Sequence, residues 1–138
     1  MALRASELEV GAVFEEPVVE DLKRTQIVQY AGASGDYNLI HTDDETTRTV
    51  GLDGVIAHGM LSMAFLGEYL CWLAGPESVR RISVRFVEMV RPADALTCRG
   101  RVKERTSVNT ARRLQLEVWA ENQRAVRVTV GEAEVEIA

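Results

Sequence analysis

The chain has 138 residues, which suits a single domain spanning 1–138 with a buried core of its own. Hydrophobic residues make up 46% and charged residues 27%, a globular rather than a disordered composition. The formal charge of -5 argues against general nucleic-acid binding, which depends on neutralising phosphates.

Gly11 to Val19 reads as a first strand, ended by Pro17 and the acidic pair Glu20-Asp21. Asp21 is placed to cap a helix whose apolar side is Leu22, Ile27, Val28, Tyr30 and Ala31. Gly32 to Gly35 should fray it, because glycine supplies the left-handed conformation that stops a helix. Thr42 followed three residues later by Glu45 is a capping box and predicts a short helix over Asp43 to Val50. Gly51 to Gly54 is a turn. A second helix follows from Gly59 to Ala74, apolar almost all round and so expected to be buried on every side. This stretch is too short to cross a bilayer and carries Glu68, so no membrane role is expected. Gly75-Pro76 stops it.

Strict alternation follows. Ile82, Val84 and Phe86 interleave with charged or polar residues, as do Leu96, Cys98 and Val102, then Leu114, Leu116 and Val118. In the last strand Val126, Val128 and Val130 share one parity and Ala133, Val135 and Ile137 the other. Such a switch flips the buried face, so Gly131 is the expected bulge. One apolar helix followed by four antiparallel strands is an α+β arrangement in which the sheet must wrap the helix, the hot-dog architecture. A half-open sheet of this kind predicts a dimer, which protects an edge. Met1 to Glu7 contains no apolar leader, and Cys71 and Cys98 fall within apolar patterns. The expectation is a cytoplasmic protein with reduced core cysteines.

Chemistry is carried by few residues. There are two histidines, His41 and His58, both beside small-residue turns. Asp36 lies five residues before His41 in Gly35-Asp36-Tyr37-Asn38-Leu39-Ile40-His41. In an irregular loop that spacing lets a carboxylate and an imidazole converge on one water, the carboxylate accepting a proton and the imidazole orienting the molecule. The same residues equally suit a turn cap and a loop histidine with an ordinary partner. Gly59 opens the apolar helix, where free N–H groups and the positive end of the helix suit a carbonyl oxygen gaining charge. It also suits a plain N-terminal turn. His58 reads as a structural hydrogen-bonder. His41, Asp43 and Asp44 do not read as a metal site, because the capping box accounts for the carboxylates. Arg80, Arg81 and Arg85 either meet the phosphates of coenzyme A or phosphopantetheine, or the acidic face of a carrier protein, or form a solvated strand face.

The run Tyr30 to His41 resembles the signature of the R-specific enoyl-CoA hydratase (hydratase 2), or MaoC-like dehydratase, family, in which an aromatic residue precedes Gly-Asp-x-Asn-Pro-(aliphatic)-His. Gly54-Val55-Ile56-Ala57-His58-Gly59-Met60 resembles its second block, and Arg91-Pro92-Ala93-Asp94 its later Pro-Gly-Asp turn, with Ala93 for Gly. The resemblance covers nearly the whole chain. It implies a hot-dog fold and a hydro-lyase that reversibly hydrates trans-2-enoyl thioesters to (3R)-3-hydroxyacyl thioesters. It implies that Asp36 and His41 bind the water, Asn38 supports their geometry and the Gly59 N–H joins the oxyanion hole. No metal or redox cofactor is implied, since the coenzyme A or acyl-carrier-protein thioester belongs to the substrate. The chain also resembles the catalytic small subunit of actinobacterial (3R)-hydroxyacyl-carrier-protein dehydratases, which pairs with a second hot-dog subunit. A homodimer is expected here, with such a heterodimer as the other arrangement.

Leu39 stands where the family has Pro, which leaves the loop less pre-set. Two other readings are a hot-dog thioesterase and a non-catalytic subunit of a heteromeric dehydratase. The second is disfavoured because both Asp36 and His41 are present. If an acyl tunnel runs along the helix, Phe65, Tyr69 or Trp72 would close it.

Overall fold

A computed structural model describes residues 4–137; Met1 to Leu3, on which part of the leader reading falls, lie outside the described residues. Five strands form one antiparallel sheet in the order β1-β3-β4-β5-β2. They are β1 (Val13–Val19), β2 (Val79–Phe86), β3 (Leu96–Val108), β4 (Ala111–Asn122) and β5 (Arg127–Ile137). Three helices, α1 (Arg24–Ser34), α2 (Asp44–Thr49) and α3 (Gly59–Ala74), all precede β2, with a single 3-10 turn, Pro76–Ser78, between α3 and β2. The sheet curls around α3 in a hot-dog fold. Leu66 and Leu70 of α3 are fully buried against Cys98, Val102, Leu116 and Val135 from the sheet's inner face. Burial of each such leucine favours folding by about 1.5–3 kcal/mol. The outer face is laced with ion pairs such as Arg99–Glu121 at 2.7 Å, Arg113–Glu134 at 2.5 Å and Lys103–Glu132 at 3.2 Å.

The expectation that α3 is buried all round needs correction. Met60, Ala64, Glu68 and Trp72, spaced four apart, form an exposed stripe, because the five strands wrap only part of the helix. The predicted first strand also shifts. It starts at Val13, and Pro17 lies inside it, tolerated because β1 is a sheet edge and its register slips between Pro17 and Val19. The first helix is capped at Lys23 rather than Asp21, and the second at Asp43 rather than Thr42, with the Asp43 carboxylate accepting the Glu45 N–H.

The bulge in the last strand lies at Val128, not Gly131. Ala120 pairs with Thr129 and Glu121 with Arg127, so Val128 is skipped in the ladder. Val128 and Thr129 are both buried as a result, and the strand's parity changes there. Gly131 has a different reason to be glycine: it pairs with Val84, and a Cβ there would overlap the Ser83 carbonyl of β2. Among the described residues no helix is long and apolar enough to cross a membrane.

Candidate active site

The Asp36 loop is built by local hydrogen bonds. Gly35 ends α1 at φ 74, its N–H donating to Ala31 O at 3.0 Å. The Asp36 N–H then donates to Ser34 Oγ at 3.2 Å, and Asp36 Oδ1 accepts the Asn38 N–H at 3.3 Å. Asn38 Oδ1 in turn accepts the Ile40 N–H at 3.1 Å and caps a 3-10 turn over Leu39–His41. These two Asx turns fold the chain back on itself. His41 Nε2 comes to lie 3.7 Å from Asp36 Oδ2.

The second block orients that imidazole. His41 Nδ1–H donates to the Ile56 carbonyl at 2.7 Å, and the Ile56 N–H donates to Ile40 O at 3.1 Å. That bond places a proton on Nδ1 and turns Nε2 toward Asp36. His41 is buried, while the Asp36 side chain is 52% exposed, so the gap between them opens outward. A water about 2.8 Å from both atoms spans a 3.7 Å gap with normal hydrogen bonds. Asp44 anchors the segment ahead of Ile56: Oδ1 accepts the Val55 N–H at 2.9 Å, and Oδ2 meets Arg24 of α1 at 2.9 Å. The Val55 N–H, and then Arg24, hold the Asp44 carboxyl below its ordinary value of 3.8.

His58 is more central than its sequence context suggested. It is 2% exposed, and Nε2–H donates to the backbone carbonyl of Asp36 at 3.1 Å. Its ring stacks on His41 with centroids 3.7 Å apart and planes 22° from parallel, and it makes an edge contact with Tyr30 at 4.9 Å. The Ala57-His58-Gly59 run signals the start of α3, but nothing in it points to Asp36. Asp36, His41 and His58 each offer a ligand atom within 4.8 Å of one another, the one such metal-sized group among the described residues. The stack disfavours a shared ion. Imidazole lone pairs lie in the ring planes, and two nearly parallel planes do not converge at a zinc–nitrogen distance of about 2.0–2.1 Å.

Gly59 opens α3, and the Leu61 N–H is already taken by His58 O at 3.0 Å. Gly59 and Met60 are therefore left with N–H groups aimed off the positive end of the helix. Phe86 packs on the Gly59 Cα so closely that a Cβ there would sit 2.7 Å from its ring. A cleft of about 170 Å³ runs alongside, lined by Ile56, Gly59, Ser62, Phe86, Met89 and Thr129 among others. A larger hollow of about 420 Å³ lies between β1 and α3, lined by Glu16, Val18, Phe65, Tyr69, Cys71 and Trp72 among others. It gathers the three aromatic residues considered as tunnel stops, but neither the Asp36–His41 pair nor Gly59 lines it. Cys98 is no nucleophile, since burial pushes its thiol up to about 12.

The arginines of β2 are not brought to the Asp36–His41 pair. Arg80 donates to Glu136 and to the Glu77 carbonyl, both at 2.7 Å. Arg81 sits opposite Glu134 in the β5 register, and Arg85 lines a hollow on the outer face with Lys103, Glu117 and Arg127. Alternation places Arg81 and Arg85 on one face of β2 but does not say which face is turned away from α3, and the register shift between Val79 and Arg81 falls at Arg80.

Residues 6–123 match the family described as the MaoC like domain. The fatty acid synthase subunit beta of Aspergillus oryzae is 38% identical over 111 residues, 78% of this chain, and the chain spans 5% of that relative's length. The R-hydratase PhaJ1 from Pseudomonas aeruginosa superposes with a TM-score of 0.85 at 28% identity, covering 99% of this chain and 86% of that one. The HadBC (3R-hydroxyacyl-ACP dehydratase) complex from Mycobacterium tuberculosis superposes with a TM-score of 0.74, covering 92% and 96%; at 15% identity that likeness concerns the fold alone.

Proposed function

Because the chain belongs to the MaoC-like domain family, we propose that it reversibly hydrates trans-2-enoyl thioesters to (3R)-3-hydroxyacyl thioesters. The observation that carries this reading is the 3.7 Å gap between Asp36 Oδ2 and His41 Nε2. Water held there donates one hydrogen bond to each group. The Asp36 carboxylate draws off a proton as the water oxygen bonds to C3 of the enoyl group. Electrons of the C2–C3 double bond move toward the thioester carbonyl, and the enolate oxygen is stabilised by the Gly59 N–H and the positive end of α3. The proton then passes to C2, so H and OH have added and Asp36 is restored. His41 holds the water so that an oxygen lone pair faces C3. Water adds across the double bond with no net oxidation or reduction, so the scheme calls on no redox group; coenzyme A or phosphopantetheine enters as part of the substrate.

The exposed α3 stripe and the β2 edge favour pairing with a second hot-dog chain, most simply another copy of this one. The free thiols of Cys71 and Cys98 fit a reducing compartment such as the cytoplasm.

The test is hydration of crotonyl-CoA and longer enoyl-CoAs, and of their carrier-protein counterparts, followed by loss of the enoyl absorbance. Asp36→Asn and His41→Ala are each expected to lower kcat/KM by at least about 100-fold, as befits a positioned acid–base group. Wild-type rates in both variants would sink the proposal. Release of free thiol with the enoyl absorbance intact would instead indicate a thioesterase.

A further inference from the structure

Two hydroxyls are buried where α3 crosses β5, close to the start of the helix. Ser62 Oγ–H donates to the Gly59 carbonyl at 2.7 Å, and Ser62 Oγ lies 2.5 Å from Thr129 Oγ1. Ser62 has a single hydroxyl proton, already committed to Gly59, so Thr129 is the donor in the second bond. Ser62 is 3% exposed and Thr129 1%. The Val128 bulge in β5 is what turns Thr129 toward the helix. Packing alone does not call for this pair, because an apolar pair of the same shape would hold α3 on β5 about as well.

What the hydroxyls touch gives the reason. The Gly59 carbonyl belongs to the same peptide unit as the Met60 N–H, one of the two free donors at the start of α3. A chain of hydrogen bonds into that carbonyl draws electron density from the peptide nitrogen and strengthens the N–H as a donor. It also fixes the plane of the peptide. Ser62 and Thr129 are both among the residues that line the cleft beside Gly59.

We propose that Thr129 and Ser62 are positioning residues for the thioester carbonyl. They orient and polarise the Gly59–Met60 peptide so that the Met60 N–H joins the Gly59 N–H on the reacting oxygen. This rests on the thioester reading above, but it concerns the carbonyl rather than the double bond.

The test uses full-length Ser62→Ala, Thr129→Val and Thr129→Ser. Hydration of crotonyl-CoA should show kcat about tenfold lower in Ser62→Ala and Thr129→Val with KM nearly unchanged. This is a smaller loss than the roughly 100-fold or more that follows removal of a direct oxyanion donor. Thr129→Ser keeps the hydroxyl and should stay within about twofold of wild type. The second readout is the infrared carbonyl stretch of bound butyryl-CoA, which has no double bond to react. It should lie lower in wild type and Thr129→Ser than in the other two variants. Wild-type kcat and an unmoved stretch in Ser62→Ala and Thr129→Val would overturn the proposal, as would equal impairment of Thr129→Ser and Thr129→Val. A protein that shifts the butyryl-CoA stretch as described but leaves crotonyl-CoA unhydrated would remove the hydratase reading and uphold this one.

Discussion

Ala93→Gly should make the protein more stable. Ala93 sits at φ 72 in the turn Arg91-Pro92-Ala93-Asp94, the left-handed region that an L side chain enters at a cost of about 1–2 kcal/mol. The turn is held there by what surrounds it. The Ala93 N–H donates to Leu22 O at 2.8 Å, and the Asp94 N–H to Arg91 O at 3.1 Å. The buried Asp94 carboxylate accepts the Arg91 N–H and the Gln123 amide, both at 2.9 Å. The Ala93 methyl is exposed, so removing it forfeits no burial. Glycine's extra freedom in the unfolded chain returns about 0.4–1 kcal/mol of the gain. The expected net is about 0.5–1 kcal/mol, or a rise in Tm of roughly 2–6 °C for a chain of this size. Ala33→Gly is the control with the opposite sign. Ala33 is exposed in the last turn of α1, where glycine in place of alanine costs up to about 1 kcal/mol. Urea and thermal melts of both variants decide the matter. An Ala93→Gly midpoint at or below wild type, with Ala33→Gly lowered as expected, would refute the strain argument.

Three further outcomes follow from the structure. Leu39→Pro should fold and keep wild-type activity with a slightly raised Tm. Asn38 already has φ -56 and ψ 127, the conformation allowed before proline, and Leu39 opens a 3-10 turn; a tenfold activity loss would show the backbone departs from this geometry. His58→Phe keeps a ring on His41 but removes the donor to the Asp36 carbonyl, so kcat should fall about tenfold with only a small change in Tm. Unchanged kcat would mean that the stack alone holds the loop. The protein should lose stability in acid. Asp43 (through Thr46), Asp44 (through the Val55 N–H, then Arg24) and Glu134 (through Gln115, then Arg113) all lie below their ordinary values of 3.8 and 4.5. The unfolded chain therefore binds more protons, so this stability is complete above about pH 5 and is lost as pH falls through the lower folded values. Urea midpoints at pH 7, 5 and 3.5 should hold between the first two and drop at the third; a flat series would contradict the pairing.

The helix-then-strands order was legible because alternation and apolar runs are local, and α3 has the limits that Gly59 and Gly75-Pro76 predict. Its exposed stripe was not legible. Apolar residues all round a helix do not say how far a sheet of five strands can reach around it. The parity switch in β5 was visible, but its position was drawn to Gly131 because glycine marks bulges. The pairing with β4 puts the bulge at Val128, where two valines of one parity offered no sign. The Asp36–His41 approach followed from spacing and resemblance. The parts that orient it, the Ile56 carbonyl and the His58 ring, come from a segment 15 or more residues away through backbone atoms and stacking that leave no mark in side-chain type. The placement of the β2 arginines was not legible for a related reason, since alternation gives two faces without labelling them.

The Ile40–Ile56 backbone pair sets a limit on engineering. Moving Gly35 to His41 alone onto another hot-dog scaffold would transfer a carboxylate and an imidazole but not the carbonyl that selects the tautomer, nor the ring that supports it. The smallest transferable unit is two segments, 35–41 and 54–60, with the tyrosine at position 30 that packs edge-on with His58. A designer grafting the longer pair should recover an oriented imidazole. One grafting only the shorter motif should obtain a well-folded protein whose histidine points elsewhere.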